Sequence, residues 1–147
     1  TFRLRIDERG LNTALVETAQ EFSQKLHFTV SLKNNLSGIV LSANEELHVL
    51  RIVREALSNI ERHAAATSAK VSVSVDEFKA VTVRVEDDGV GFDPKQTPVN
   101  HFGVNIMSDR AMILAGRLEI ESAPGRGTVI TLQFLPQKVR QSVHETE

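Results

Sequence analysis

The sequence predicts an α+β fold, a two-layer α/β sandwich with helices on one face of a mixed, mostly antiparallel sheet. Three patterns lead there. Leu11, Leu15, Ala19, Phe22 and Leu26 recur every three or four residues, and Leu47, Leu50, Val53, Leu57, Ile60 and Ala64 do the same, so two helices each have one apolar face to bury. Val71, Val73 and Val75, then Val81, Val83 and Val85, alternate with polar residues, the period of two half-buried strands in a hairpin. A second alternation runs through Leu118 and Ile120 and then Ile130, Leu132 and Phe134. Strands with one apolar face and helices with one apolar stripe satisfy each other by stacking as layers.

Taken in order, the first helix spans about Leu11 to His27, and a strand from His27 to Leu32 follows, with Phe28 and Val30 on one face. Asn34-Asn35 and Ser37-Gly38 are turn chemistry, and Ile39 to Leu41 reads as a short second strand. Ser42 or Asn44 can cap the long second helix. The valine hairpin turns near Asp76 to Lys79. Residues 87 to 102 are rich in Gly, Pro, Asp and Asn and carry no period, so they read as a long loop of the kind that is usually functional. From Gly103 a helical period returns through Met107, Ala111 and Leu114, with Gly116 placed to end it in a left-handed conformation. The second hairpin turns around Pro124-Gly125-Arg126-Gly127, and beyond Pro136 the tail is polar and expected to fray. The domain boundaries expected are therefore a connector over 1–10, a single domain over 11–135 and a tail over 136–147.

The chain has 147 residues, a hydrophobic fraction of 41%, a net charge of -2 and no cysteine. One core fits that length. Disulfides, thiolate metal sites and cysteine nucleophiles are excluded. Neither sign of charge forms a long block, which argues against a backbone-driven nucleic-acid binder. No apolar run approaches the ~18 residues of a membrane span, and no signal-peptide pattern opens the chain. It begins Thr1-Phe2-Arg3 without an initiator methionine, which reads as a piece of something longer.

Four stretches are candidates for chemistry, each with a plain structural alternative. At roughly 100° per residue, Glu55, Asn59, Arg62 and His63 share the face of the second helix opposite its apolar stripe. The plain alternative is a solvated face with ion pairs. Asn59, however, is a poor mid-helix residue, and a hard cation such as Mg²⁺ accepts amide oxygen. Glu86-Asp87-Asp88-Gly89-Val90-Gly91-Phe92 follows a strand directly, so the glycines can bring backbone close to a flat ligand while a carboxylate accepts from an exocyclic amine. It fits neither an EF-hand loop nor a phosphate-binding G-x-x-x-x-G-K-[ST] loop. Asn100-His101-Phe102-Gly103 leads into a helix, whose N-terminus can receive phosphate. Gly125-Arg126-Gly127-Thr128 is a hairpin tip entering a strand.

In this order the four stretches resemble the N, G1, G2 and GT boxes of the histidine-kinase type ATP-binding domain: Glu55-x-x-x-Asn59-x-x-Arg62-His63-Ala64, Asp87-x-Gly89-x-Gly91, His101-Phe102-Gly103 and Gly125-x-Gly127-Thr128. That is the Bergerat-fold superfamily, which includes gyrase, Hsp90 and MutL, and the match runs from Leu11 to Phe134. Arg54-Glu55-Ala56-Leu57-Ser58-Asn59 and the run from His101 to Ala111 look like nitrate/nitrite sensor kinases of the Nar type.

The resemblance implies ATP and Mg²⁺ as cofactors, with Asn59 as the metal ligand. It implies that Asp87 accepts the adenine amine, that Gly89 and Gly91 let the loop pass the ring, and that Arg62 and His63 face the phosphates. Arg62 stands where a lysine is usual. His101 and Gly103 would lie at the phosphates, Thr128 would brace the Asp87 end through its hydroxyl, and residues 93 to 102 would be the lid. His101 replaces the usual first glycine of its box, which implies a stiffer lid. Glu55 stands where many sensor kinases have Asn and related ATPases have a water-activating Glu, and three roles stay open: general base, neighbour of the metal's ligands, or helix pairing.

By resemblance the chain is the catalytic domain of a cytoplasmic sensor kinase portion whose parent is dimeric and anchored in a bacterial inner membrane, this fragment itself being monomeric. It would donate the γ-phosphoryl group to a histidine on separate dimerisation helices, and a response regulator would receive it next. The alternatives are an anti-sigma serine kinase of the same fold and a nucleotide-gated interaction module without catalysis.

Overall fold

The computed structural model describes residues 10–36, 38–96 and 103–145. The helix α1 spans Gly10–Leu26 and buries Leu11, Leu15, Ala19 and Phe22, the stripe read from the sequence. It ends at His27, whose φ of 63° is left-handed and whose N–H reaches Ser23 O at 3.1 Å. The strand therefore starts later than expected: β1 is Val30–Asn35, and its first N–H donates to Ser23 Oγ at 2.8 Å. Reversing direction after the helix consumes His27, Phe28 and Thr29. Asn34 and Asn35 extend the strand instead of turning it, and Ile39 to Leu41 form no strand.

Ser42 then caps the second helix, α2, over Ala43–Asn59. Its hydroxyl accepts from Glu45 N at 3.1 Å while Glu45 Oε1 accepts from Ser42 N at 2.9 Å, the reciprocal pair that satisfies two orphan donors. From Ile60 to Ala64 the helix widens into a π-helical turn and stops at Ala65 with φ of 50°. Strands β2 (Ala69–Val75) and β3 (Val81–Asp87) pair antiparallel, Val73 opposite Val83. Helix α3 covers Val104–Ile113, and strands β4 (Arg117–Ser122) and β5 (Thr128–Phe134) form the second hairpin.

These strands make a five-stranded sheet in the order β1-β2-β3-β5-β4, with β1 parallel to β2 and every other neighbour antiparallel. Val71, Val73, Val81, Val83, Val85, Ile130, Leu132 and Phe134 point under the helices, while Lys70, Ser74 and Arg84 face solvent. One face is thus covered, as the alternation requires. A fully buried side chain such as Phe22 or Leu57 contributes about 1.5–3 kcal/mol. Phe22 also lies beneath two cations, Lys25 Nζ at 4.8 Å and Arg54 Cζ at 5.4 Å from the ring centroid. Arg54 grips both oxygens of Glu21 at 3.1 and 2.9 Å, and that fork clamps α1 to α2.

Two further expectations change. Ala115, with φ of 53°, takes the left-handed position after α3, and Gly116 follows it, its N–H on Ala111 O at 2.8 Å. Glycine is needed at 116 for space, since a Cβ there would lie 2.7 Å from Gln133 O and 2.9 Å from Phe134 Cβ. The tail expected to fray is a helix, α4, over Gln137–Glu145. Pro136 O accepts from both Val139 and Arg140 to start it, and Gln137 N donates to Glu45 Oε2 at 2.9 Å. Docking on a carboxylate 92 residues away is what the local sequence cannot announce.

Candidate nucleotide site

Helix α2 and its π-turn bring three of the polar side chains together. Arg62 Nη2 donates to Asn59 Oδ1 at 2.9 Å and to Glu55 Oε1 at 3.2 Å. Asn59 is buried, with 8% of its surface exposed. Arg62 was expected to face phosphates; here it holds the amide and the carboxylate in place. Arg62 and His63 lie within the π-turn, a wider i→i+5 arrangement frequent at functional sites. His63 and Asn59 line one cleft, but Glu55 and Arg62 stand outside its wall.

Beneath them lies the end of β3. Asp87 is half-buried, and its Oδ1 accepts from Gly89 N at 2.8 Å. Burial pushes its carboxyl above the usual range, and the neighbouring Asp88 charge adds to that, while the N–H groups of Gly89 and Thr128 pull it back. Asp88 behaves oppositely. It accepts from Thr67 Oγ1 at 2.6 Å, Thr67 N at 2.8 Å and Ser68 N at 2.9 Å, which hold its carboxyl well below the usual range.

The loop after Asp87 is pressed against the π-turn. Val90 N donates to Ala64 O at 2.7 Å, and a Cβ on Gly89 would stand 2.2 Å from the same oxygen. Gly91 has φ of 64°, and its Cβ would lie 2.1 Å from Ala123 O. Both positions admit only glycine without a backbone shift. Ser122, which the sequence reading passed over, fixes the far side of this loop. Its Oγ accepts from Phe92 N at 2.9 Å, donates to Gly127 O at 2.9 Å and meets Thr128 Oγ1 at 2.9 Å. The Thr128 hydroxyl is thereby engaged with Ser122, and its support of Asp87 comes from its main-chain N–H.

Gly103 caps α3 with φ of 63°, and a Cβ there would lie 2.0 Å from Glu55 Oε1. Glu55 therefore sits against the start of the helix expected to receive phosphate. His101 and the lid beyond Gln96 lie outside the described residues.

Between these elements opens a cleft of about 480 Å³ including its mouth. Asn59, His63, Asp87 and Thr128 supply its polar atoms, and Val85, Val90, Met107, Ile120 and Ile130 are among its apolar walls. A mostly apolar slot with a few placed polar groups suits a flat heteroaromatic ring. The apolar liners were missed as site residues because inward strand positions such as Ile120 and Ile130 have the same pattern whether they face core or cleft.

The sheet thus brings a carboxylate at the end of β3 and a buried amide on α2 to one cleft. Residues 44–139 match the family described as Histidine kinase-, DNA gyrase B-, and HSP90-like ATPase, and the chain belongs to it. Among its relatives is the nitrate/nitrite sensor protein NarX of Escherichia coli K12, 35% identical over 99% of this chain and 25% of that protein. The sensor histidine kinase LiaS of Bacillus subtilis is 31% identical over 87% of this chain and 35% of its own length. This chain thus spans about a quarter to a third of such relatives. The fold also matches the blue-light activated histidine kinase of Erythrobacter litoralis, with a TM-score of 0.74 at 20% identity over 90% of this chain and 43% of that one. Full-length ShkA in complex with AMPPNP aligns with a TM-score of 0.69 at 16% identity over 90% of this chain and 31% of that one.

Proposed function

We propose that this chain is the ATP-binding catalytic part of a two-component sensor histidine kinase, with the phosphate-accepting histidine on separate dimerisation helices and a response regulator downstream. One observation carries the reading: Asp87, half-buried and pinned by Gly89 N, opens onto an apolar cleft that also receives the buried amide of Asn59. Sensor kinases among the relatives, at up to 35% identity, support a histidine acceptor over the serine-kinase alternative.

Asp87 accepts the exocyclic amine of adenine while the walls from Val85 to Ile130 exclude water from the ring. Asn59 is the residue that would hold Mg²⁺, an oxygen-seeking cation, once Arg62 releases its amide oxygen. When bound, the metal neutralises charge on the transferring phosphoryl group. Arg62, freed from Asn59, and His63 then offer donors to phosphate oxygens, and the N-terminus of α3 at Gly103 offers main-chain N–H groups. Glu55, already against Gly103 and paired with Arg62, orients that end of the site. The chain holds the nucleotide and the acceptor comes from elsewhere, so positioning decides the rate.

Calorimetry should show Mg-ATP binding to the chain, and a radiolabelled ATP assay on it alone should show no acid-labile phosphohistidine. Of its five histidines, only His144 precedes an acid, Glu145. Adding the parent's dimerisation helices should restore labelling. Robust labelling of the chain alone would overturn the separation of donor from acceptor.

A further inference from the structure

A second polar cluster lies on the same helix, beyond the cleft. His48, Arg51, Glu55, Asn59 and Arg62 follow one another at spacings of three and four residues, so they form a stripe along α2. Helix α3 runs beside it in the opposite sense, with Gly103 against Glu55 and Arg110 against His48. Arg51 stands eight residues before Asn59, about 12 Å along the axis, and none of His48, Arg51 and Arg110 lines the cleft.

This far end gathers three basic side chains. Arg110 Nη1 lies 3.2 Å from His48 Nδ1; a guanidinium only donates, so that imidazole nitrogen accepts and His48 carries its proton on Nε2. His48 is buried, with 8% of its surface exposed. Arg51 Nε is buried without any hydrogen-bond partner. Among the described residues no carboxylate ion-pairs with any of the three. The acids of α2 are committed elsewhere: Glu45 to Ser42 and Gln137, Glu46 to Leu11, Glu55 to Arg62. Burial and then the two arginines lower the proton affinity of His48, and burial and then Arg51 lower that of Arg110. Gathering cations costs free energy, and that cost falls if an oxyanion sits between the two guanidiniums.

We propose that His48, Arg51 and Arg110 form an oxyanion-binding site at the end of the α2–α3 seam remote from the nucleotide, accepting a phosphate or carboxylate group. Arginine suits that ligand because its planar fork matches paired oxygens, whereas a lysine would meet them as a point charge. The same helix then carries an anion site at one end and the nucleotide's amide ligand at the other.

The test is side-chain NMR on the full chain, following the Nε–Hε signals of all arginines and the His48 imidazole. One arm titrates sodium phosphate, the other sodium acetate, each at ionic strength held constant with sodium chloride. Arg51, Arg110 and His48 should shift together and saturate, while Arg117, which pairs with Glu119 on the surface, should not. Saturation with phosphate alone assigns a phosphate ligand, and saturation with acetate assigns a carboxylate. Arg51→Gln should weaken binding about tenfold as read at His48, the equivalent of one charge-assisted contact. Arg51→Lys, which keeps the charge and loses the fork, serves if the glutamine variant does not fold, and should also weaken it. Shifts at Arg51 no larger than those at Arg117 in both arms, or unchanged binding in the folded variants, would overturn the proposal.

Discussion

Replacing Asp87 by asparagine separates the recognition of adenine from the stability of the fold, because the two depend on the same carboxylate with opposite sign. Asp87 Oδ1 is occupied by Gly89 N at 2.8 Å. In Asp87→Asn that bond survives on the amide oxygen, so the amide NH₂ takes the other oxygen's place and meets the adenine amine donor to donor. One buried polar group left unpaired costs about 1–3 kcal/mol, or roughly 5- to 150-fold in affinity for Mg-ADP. Stability moves the other way. Burial raises the Asp87 carboxyl in the folded state, so its contribution is most favourable below the ordinary carboxylate range and is lost as pH rises through the folded value. Asparagine removes that loss, and the melting temperature at pH 7 should hold or rise. Calorimetric titration with Mg-ADP and thermal melts across pH 3 to 8 measure both quantities. Affinity within twofold of the parent, or affinity and melting temperature falling together, would refute the assignment.

Asp88→Asn should do the reverse of its neighbour: its depressed carboxyl contributes stability above the ordinary carboxylate range that is lost as pH falls through the folded value. Melts should show a lower melting temperature at pH 7 with a flatter acid limb, and Mg-ADP affinity should change little. Asn59→Ala should weaken nucleotide binding with Mg²⁺ far more than binding in EDTA; equal losses would make Asn59 structural. Gly91→Ala, with a left-handed φ and a Cβ 2.1 Å from Ala123 O, should lose at least about 1 kcal/mol of stability in urea titrations and lower ADP affinity as well.

The sequence disclosed what repeats and what is local. Alternating valines gave the central hairpin, helical stripes gave α1 and α2, and Ser42, offered beside Asn44 as the cap, marked where α2 starts. The order of four short motifs singled out Asn59, Asp87 and Gly91, which the fold brings to one cleft, and Gly103 at the start of α3. What stayed hidden depends on partners distant in the chain. Whether 137–145 is a helix turns on Glu45, and whether Thr128 supports Asp87 by hydroxyl or main chain turns on Ser122. Arg62 grips Asn59 from within a π-turn that no residue pattern in 60–64 signals.

The parallel pairing of β1 with β2 has a kinetic meaning. Parallel neighbours require a crossover, and the crossover here is α2 itself, the helix that carries Asn59. The strand pair at this edge cannot close until that helix has packed, and loop-closure entropy makes such non-local steps late. The other half of the cleft waits as well, because Asp87 meets Thr128 only after β5 has inserted between β3 and β4. The lining of the cleft runs from Ala56 to Ile130, so it is complete only once α2 and β5 are both in place. During refolding, nucleotide binding should appear in the slowest phase, which makes ligand capture a reporter of chain closure and not of helix formation.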